Sequence, residues 1–268
     1  MDVVALLGIG LVTGVTTVAF GFGGGFVTVP VVVWADRALG PDAMRVATAT
    51  SALVMAAGAG LATAATPRRV LAALRGGGPL ILLLVAGATA GALLARHAPA
   101  GLAHWAFVGY VVLTIADVLL RPGFLRPSRR AAPYEAGGPR PLPPVLGVPI
   151  GAVAAFLGVG GSVLTVPAMR RAGHPMRVAT ALANPLTLAV ALPTAAVCLA
   201  SAAPAAGASP VHLVGLVDVR SAAALLAAAL PVIVLLRRHP PRVPDRVHAW
   251  AYVGLLAAVA ATMILTGG

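Results

Sequence analysis

The chain has 268 residues, of which 59% are hydrophobic and only 10% charged, and its mean hydropathy is +0.97. Soluble domains carry about a quarter of their residues as charges, so these values exclude that class and define a membrane protein, best counted in spans. The net charge of +12 comes from 19 arginines, no lysine and 7 acids. The arginines lie in the connections between apolar segments, which reads as a topology signal and argues against a nucleic-acid partner. Cys198 is the single cysteine, so no intrachain disulfide can form; within its apolar run it reads as a small core residue.

Residues 3–35 contain no charge, and neither do residues 141–169. Both stretches exceed the roughly 20 residues of a simple span, and both carry a glycine cluster inside. The other apolar runs cover residues 46–66, 76–95 and 105–120, then 178–211 (with Pro193 inside), 221–236 and 249–268. Each half is therefore expected to be one broken segment followed by three helices. The first run follows Asp2 directly, without the basic stretch of a secretory signal, so no removable targeting segment is expected. Trp34, Trp105 and Trp250 stand at segment ends, where interfacial aromatics belong. Residues 121–140 hold Arg121, Arg126, Arg129, Arg130 and Arg140 with several prolines and a Gly-Gly pair. The expected division is a first repeat over 1–120, a solvated cytoplasmic linker over 121–142 and a second repeat over 143–268.

The glycine cluster of residues 20–30, Phe-Gly-Phe-Gly-Gly-Gly-Phe-Val-Thr-Val-Pro, returns at 157–167 as Leu-Gly-Val-Gly-Gly-Ser-Val-Leu-Thr-Val-Pro. Gly21, Gly23, Gly24, Thr28 and Pro30 thus fall opposite Gly158, Gly160, Gly161, Thr165 and Pro167, at a constant offset of 137. Met44-Arg-Val-Ala-Thr-Ala likewise returns at Met176, at an offset of 132. Glycine clusters break helices, and unwound backbone survives in hydrocarbon only where protein covers it or it lines a cavity. Paired breaks in two halves are the sequence mark of a transporter's binding site. The fold class expected is all-α: a polytopic membrane protein of two inverted repeats, each a glycine-broken re-entrant hairpin plus three transmembrane helices.

Arginine placement supports the hairpins. If all eight segments cross once, the two faces receive ten and nine arginines. If the glycine-broken segments return to their own side, Arg37, Arg45, Arg96 and Arg220 stay on one face and the remaining fifteen take the other, the cytoplasmic one. Three true crossings per half then invert the second half and put both termini outside a bacterial inner membrane.

A helix restarting after each break presents free N–H groups and a partial positive charge, which suit an anion. The candidate binding residues are Gly23, Gly24, Gly25 and Thr28 in the first break and Gly160, Gly161, Ser162 and Thr165 in the second. Glycines that serve only tight helix packing are the alternative reading. Thr48, Thr50, Ser51, Thr180 and Asn184 lie near the starts of the helices that follow; cavity lining and capping or packing both fit them. Asn184, beside Pro185, requires a hydrogen-bond partner. Pro193 and Pro231 read as kinks.

Among the spans the single acid is Asp117, expected to pair with Arg121, so cation and proton transport are disfavoured. The histidines (97, 104, 174, 212, 239 and 248) fall in or beside expected loops with no metal-ligand spacing, and no metal or cofactor is expected. Ser162 has no Gly-x-Ser-x-Gly context and no histidine base within a span, and no Asp pair exists, so enzymatic chemistry is not expected.

The arrangement resembles the TauE/SafE family of bacterial sulfite and sulfonate exporters. The resemblance is carried by Gly21–Gly25 with Thr28-Val-Pro30, Gly158–Gly161 with Thr165-Val-Pro167, Ala-Thr-Ala-Thr-Ser at 47–51, and the small-residue stretch from Gly87. It covers nearly the whole chain outside the linker. It implies a permease for small sulfur-containing anions, with export the usual direction. In the second half Ser162 replaces the third glycine, Leu182-Ala183 replaces Thr50-Ser51, and residues 222–230 lack the glycines of the Gly87 helix. These departures imply an asymmetric anion site led by the first half. Partners expected are a small anion and the lipid bilayer, with homo-oligomerisation open. Two other functions stay in view, a carrier or channel for another small anion and a non-transporting membrane interaction protein.

Overall fold

The computed structural model describes residues 3–35, 37–125, 142–201 and 213–266. Arg126, Arg129, Arg130, Arg140 and His212, and with them most of the expected linker, lie outside the described residues. Within them the chain forms α1 (Val3–Phe20), α2 (Gly25–Ala35), α3 (Ala43–Ala64), α4 (Arg68–Leu71), α5 (Gly78–Ala95) and α6 (Ala100–Leu120). It continues as α7 (Gly147–Leu157), α8 (Ser162–Arg171), α9 (Met176–Leu199), α10 (Val219–Arg238) and α11 (Asp245–Thr266). Six helices are long and apolar enough to cross a membrane: α3, α5, α6, α9, α10 and α11. At 1.5 Å per residue the 22 residues of α3 extend about 33 Å, more than a hydrocarbon core of about 30 Å. The 10- and 11-residue helices α2, α7 and α8 reach only about half that depth.

Some boundaries differ from expectation for local reasons. The long run 178–211 is helical only as far as Leu199. Beyond the undescribed residues that follow, β1 (Leu213–Val214) and β2 (Val217–Asp218) form a hairpin that turns at Gly215, φ 60°. Asp218 then caps α10, its carboxylate accepting from the Arg220 and Ser221 amides at 3.0 and 3.2 Å, so the helix starts two residues before the apolar run. His104 and His248 stand within the second turn of α6 and the first turn of α11, and not beside loops, because each helix starts a few residues before its expected apolar run.

The helix contacts exchange between halves. α1 packs on α10 as α7 packs on α5, α2 on α3 as α8 on α9, α10 on α3 as α5 on α9, and α11 on α2 as α6 on α8. The pairs α3–α9 and α6–α11 map onto themselves. Small residues permit the closest of these approaches. A Cβ on Gly10 would lie 2.5 Å from the Leu225 carbonyl oxygen and one on Gly14 2.7 Å from that of Ala229; on Gly147 it would meet the Leu80 oxygen at 2.8 Å. Gly87, Gly91 and Gly151 complete the α5–α7 seam in the same way.

Candidate functional site

α1 stops at Phe20 because the next residues leave helical space. Gly21, Gly23 and Gly24 take φ of 76°, 63° and 94°, and Gly158 and Gly160 repeat this at 70° and 69°. A side chain in that region is strained. Gly161 has φ −73°, and Ser162 opens α8 as Gly25 opens α2, so a serine is tolerated where the third glycine of the first motif stands. The first regular bond of α2 runs from Thr28 N to Gly24 O, and that of α8 from Thr165 N to Gly161 O, with Leu164 N also donating to Gly161 O at 3.2 Å; the amides of residues 25–27 and of Ser162 and Val163 are left without acceptors in their own helices.

The two breaks meet between α3 and α9. The Ser51 hydroxyl lies within donating distance of Gly25 O at 3.0 Å and Gly158 O at 2.7 Å. From the other side Thr187 Oγ1 donates to Gly21 O at 3.1 Å. A Cβ on Gly23 or on Gly160 would stand 3.0 Å from Thr187 Cγ2, and one on Gly160 would also meet Met55 Sδ at 2.9 Å. Gly21 backs onto Thr180 O and Gly158 onto the Cα of Thr48, the same contact in each half. Gly23 and Gly160, one from each motif, therefore stand at one junction, lined by Thr187 and Met55.

The candidate residues divide by how their polar atoms are used. Thr28 donates to Gly24 O at 3.0 Å, Thr180 to Arg177 O at 3.2 Å, and Thr50 Oγ1 accepts from the Asp218 amide at 2.9 Å. Thr48 is buried against Gly158. In contrast, Ser162 Oγ and Thr165 Oγ1 are buried with no partner. Asn184 donates from Nδ2 to Thr180 O at 3.2 Å, while its Oδ1 is buried and unpaired. Unused polar atoms among the candidates are thus concentrated in the second half. Thr13 Oγ1, on α1 beside Gly24, is unpaired as well.

Three residues escaped the sequence reading. Thr187, one turn past Asn184, could have been found as a polar residue in an apolar helix. Met55 gives no such signal. Tyr252 donates to Val163 O at 3.0 Å, the carbonyl that Pro167, lacking an N–H, cannot bond within α8. Trp-Ala-Phe-Val-Gly at 105–109 recurs as Trp-Ala-Tyr-Val-Gly at 250–254, which puts Phe107 in the corresponding place of the first half. Phe107 stacks on Phe26 at 6.0 Å, and Phe22 and Phe124 each lie 5.3 Å from the Tyr252 ring.

Ion pairs lie at helix ends. Asp117 binds Arg121 at 3.2 Å as expected and also Arg171 at 2.7 Å. Asp245 pairs with Arg170 and accepts from the Met176 amide at 2.8 Å, joining α11, α8 and α9. His248 reaches Ala19 O at the end of α1.

Six long apolar helices packed around two buried helix breaks define a multi-pass α-helical membrane protein. The model of the sulfite exporter TauE/SafE family matches residues 6–263, nearly the whole chain. The chain belongs to that family, whose members are membrane transporters and not enzymes. No curated protein and no solved structure matches it.

Proposed function

We propose that the protein exports small sulfur oxyanions, sulfite or organosulfonates, across a bacterial inner membrane, and that the anion passes the junction of the two glycine breaks. The observation that carries this reading is the pair of buried, unpartnered hydroxyls of Ser162 and Thr165, one turn apart on α8 beside the second break. A buried donor without an acceptor costs about 1–3 kcal/mol, and an arriving oxyanion removes that cost. The first-turn amides of α2 and α8 add donors and a favourable helix dipole. Asn184 Oδ1 can accept from an oxyanion that keeps a proton, such as hydrogen sulfite. Neutral donors bind a small anion without a fixed counter-charge, so release stays easy.

In this reading the halves, 1–120 and 143–268, are inverted repeats joined by a cytoplasmic linker, 121–142. The exchange of helix contacts between halves and the half-depth of α2, α7 and α8 support re-entrant hairpins. Both termini are then outside, and α9 begins and α10 ends at the cytoplasmic face. Proteoliposomes loaded with radiolabelled sulfite, with sulfate, thiosulfate, taurine and sulfoacetate as competitors, test the function. Saturable sulfite flux inhibited by at least one sulfur anion is expected; folded protein that moves none of them refutes it.

A further inference from the structure

Arg237, in the last turn of α10, has Nε and Nη2 buried without any hydrogen-bond partner. The α1–α10 seam sets Gly10 against Leu225 and Gly14 against Ala229 and Val232, a register that brings the last turn of α10 to the end of α1, where Gly21 packs on Thr180, one turn from Arg177. Arg177 takes part in no ion pair among the described residues. Two guanidinium groups gathered at the end of α1, one with buried unpaired donors, form an unfavourable arrangement unless an anion joins them. Asp245, beside the start of α9, is already engaged by Arg170 and the Met176 amide.

The first half treats the same position differently. Arg45 corresponds to Arg177 at the offset of 132, and it pairs with Asp42 at 3.5 Å and donates to Ala98 O at 3.1 Å. The residue corresponding to Asp42 is His174, so the second half lacks the acid. Thr180, one turn along α9 from Arg177, is the residue on which Gly21 packs. Arg177 therefore stands one turn from the residue against which the first glycine break packs.

We propose that Arg177 and Arg237 form a separate oxyanion-binding site at the mouth of the first break, which captures an anion before it enters the junction. The planar guanidinium fork can bond two oxygens at once of a pyramidal sulfite or a tetrahedral sulfonate or phosphate group. The group can come from solution as the transported anion or from an anionic lipid headgroup. Neutralisation of Arg45 by Asp42 at the opposite end makes capture one-sided, which favours movement away from the Arg177 face.

This inference rests on the transport reading, and its test separates the two. Full-length wild-type, Arg237→Gln, Arg237→Lys and Arg177→Gln proteins are reconstituted in phosphatidylcholine vesicles with and without phosphatidylglycerol. Sulfite flux from each face and co-purified phosphatidylglycerol are measured, with thermal unfolding as a check on folding. Arg237→Gln and Arg177→Gln should each raise the half-saturating sulfite concentration about tenfold at the Arg177 face only, with maximal flux unchanged, and Arg237→Lys should recover most of it. Unchanged half-saturation with loss of retained phosphatidylglycerol assigns the site to a lipid phosphate. Unchanged half-saturation with unchanged lipid overturns the inference and leaves transport standing. If the wild type moves no sulfite, the transport reading fails and lipid retention alone decides: loss in Arg237→Gln and Arg177→Gln upholds an oxyanion site, and no loss overturns it.

Discussion

The Ser51 hydroxyl lies 2.7 Å from the carbonyl oxygen of Gly158, although 107 residues separate them, and 3.0 Å from that of Gly25. One side chain on α3 thereby holds the start of α2 and the second break together. Ser51→Ala leaves two buried carbonyls without this donor and should cost about 1 kcal/mol. The thermal midpoint of purified protein should fall by about 2–4 °C. An unchanged midpoint would mean that the bridge contributes nothing.

Glycines at the breaks and elsewhere should respond differently to alanine. Gly21 and Gly158 combine a left-handed backbone with a neighbour less than 3 Å from any added Cβ, so Gly21→Ala and Gly158→Ala should each lose about 1–3 kcal/mol or more. Gly8 and Gly109 are helical with open space around them, and alanine there should be neutral or gain up to about 1 kcal/mol. Unfolding midpoints of the four variants check the contrast; equal effects would contradict the geometry.

The paired glycine motifs, their helical restarts and the six long spans were legible in the sequence, because recurrence at one offset separates a motif from chance. The β1–β2 hairpin was not, since two-residue strands are too short to show an alternating pattern and only Gly215 marks the turn. Which hydroxyls stay free was also hidden. Thr28 and Thr165 are equivalent in sequence, yet Thr28 bonds Gly24 O while Thr165 has no partner. Thr187 and Tyr252 act across about 90 residues or more to reach Gly21 and Val163, a relation that only packing sets.

Used and unused hydroxyls should separate in stability. Tyr252→Phe leaves Val163 O unpaired at the proline of α8 and should lower stability by about 1 kcal/mol. Thr165→Val removes a buried hydroxyl with no partner at nearly constant shape, so stability should hold or rise. Parallel thermal unfolding of the two variants is the measurement, and a loss in Thr165→Val comparable to that in Tyr252→Phe would contradict the assignment.

His174, between α8 and α9, lines a cavity of about 410 Å³ together with Arg75 and Leu182. Burial lowers its pKa below the ordinary value of 6.5. The unfolded chain then takes up this proton at higher pH than the folded protein, so the contribution present above pH 6.5 is lost as pH falls below it. The unfolding midpoint should drop between pH 7.5 and 5.5, and His174→Asn should flatten that drop. Identical pH profiles for the two proteins would remove His174 from the account.

The most direct test of the central claim is sulfite flux through the Ser162→Ala/Thr165→Val double variant in proteoliposomes, beside wild type and Thr28→Val. The double variant should stay folded and stable while its flux falls at least about tenfold, the loss expected when about 1.4 kcal/mol of hydrogen bonding to the anion is removed. Thr28→Val, whose hydroxyl is already bonded to Gly24 O, should stay much closer to wild type. Wild-type flux through the double variant would place the anion's path away from the junction of the two breaks.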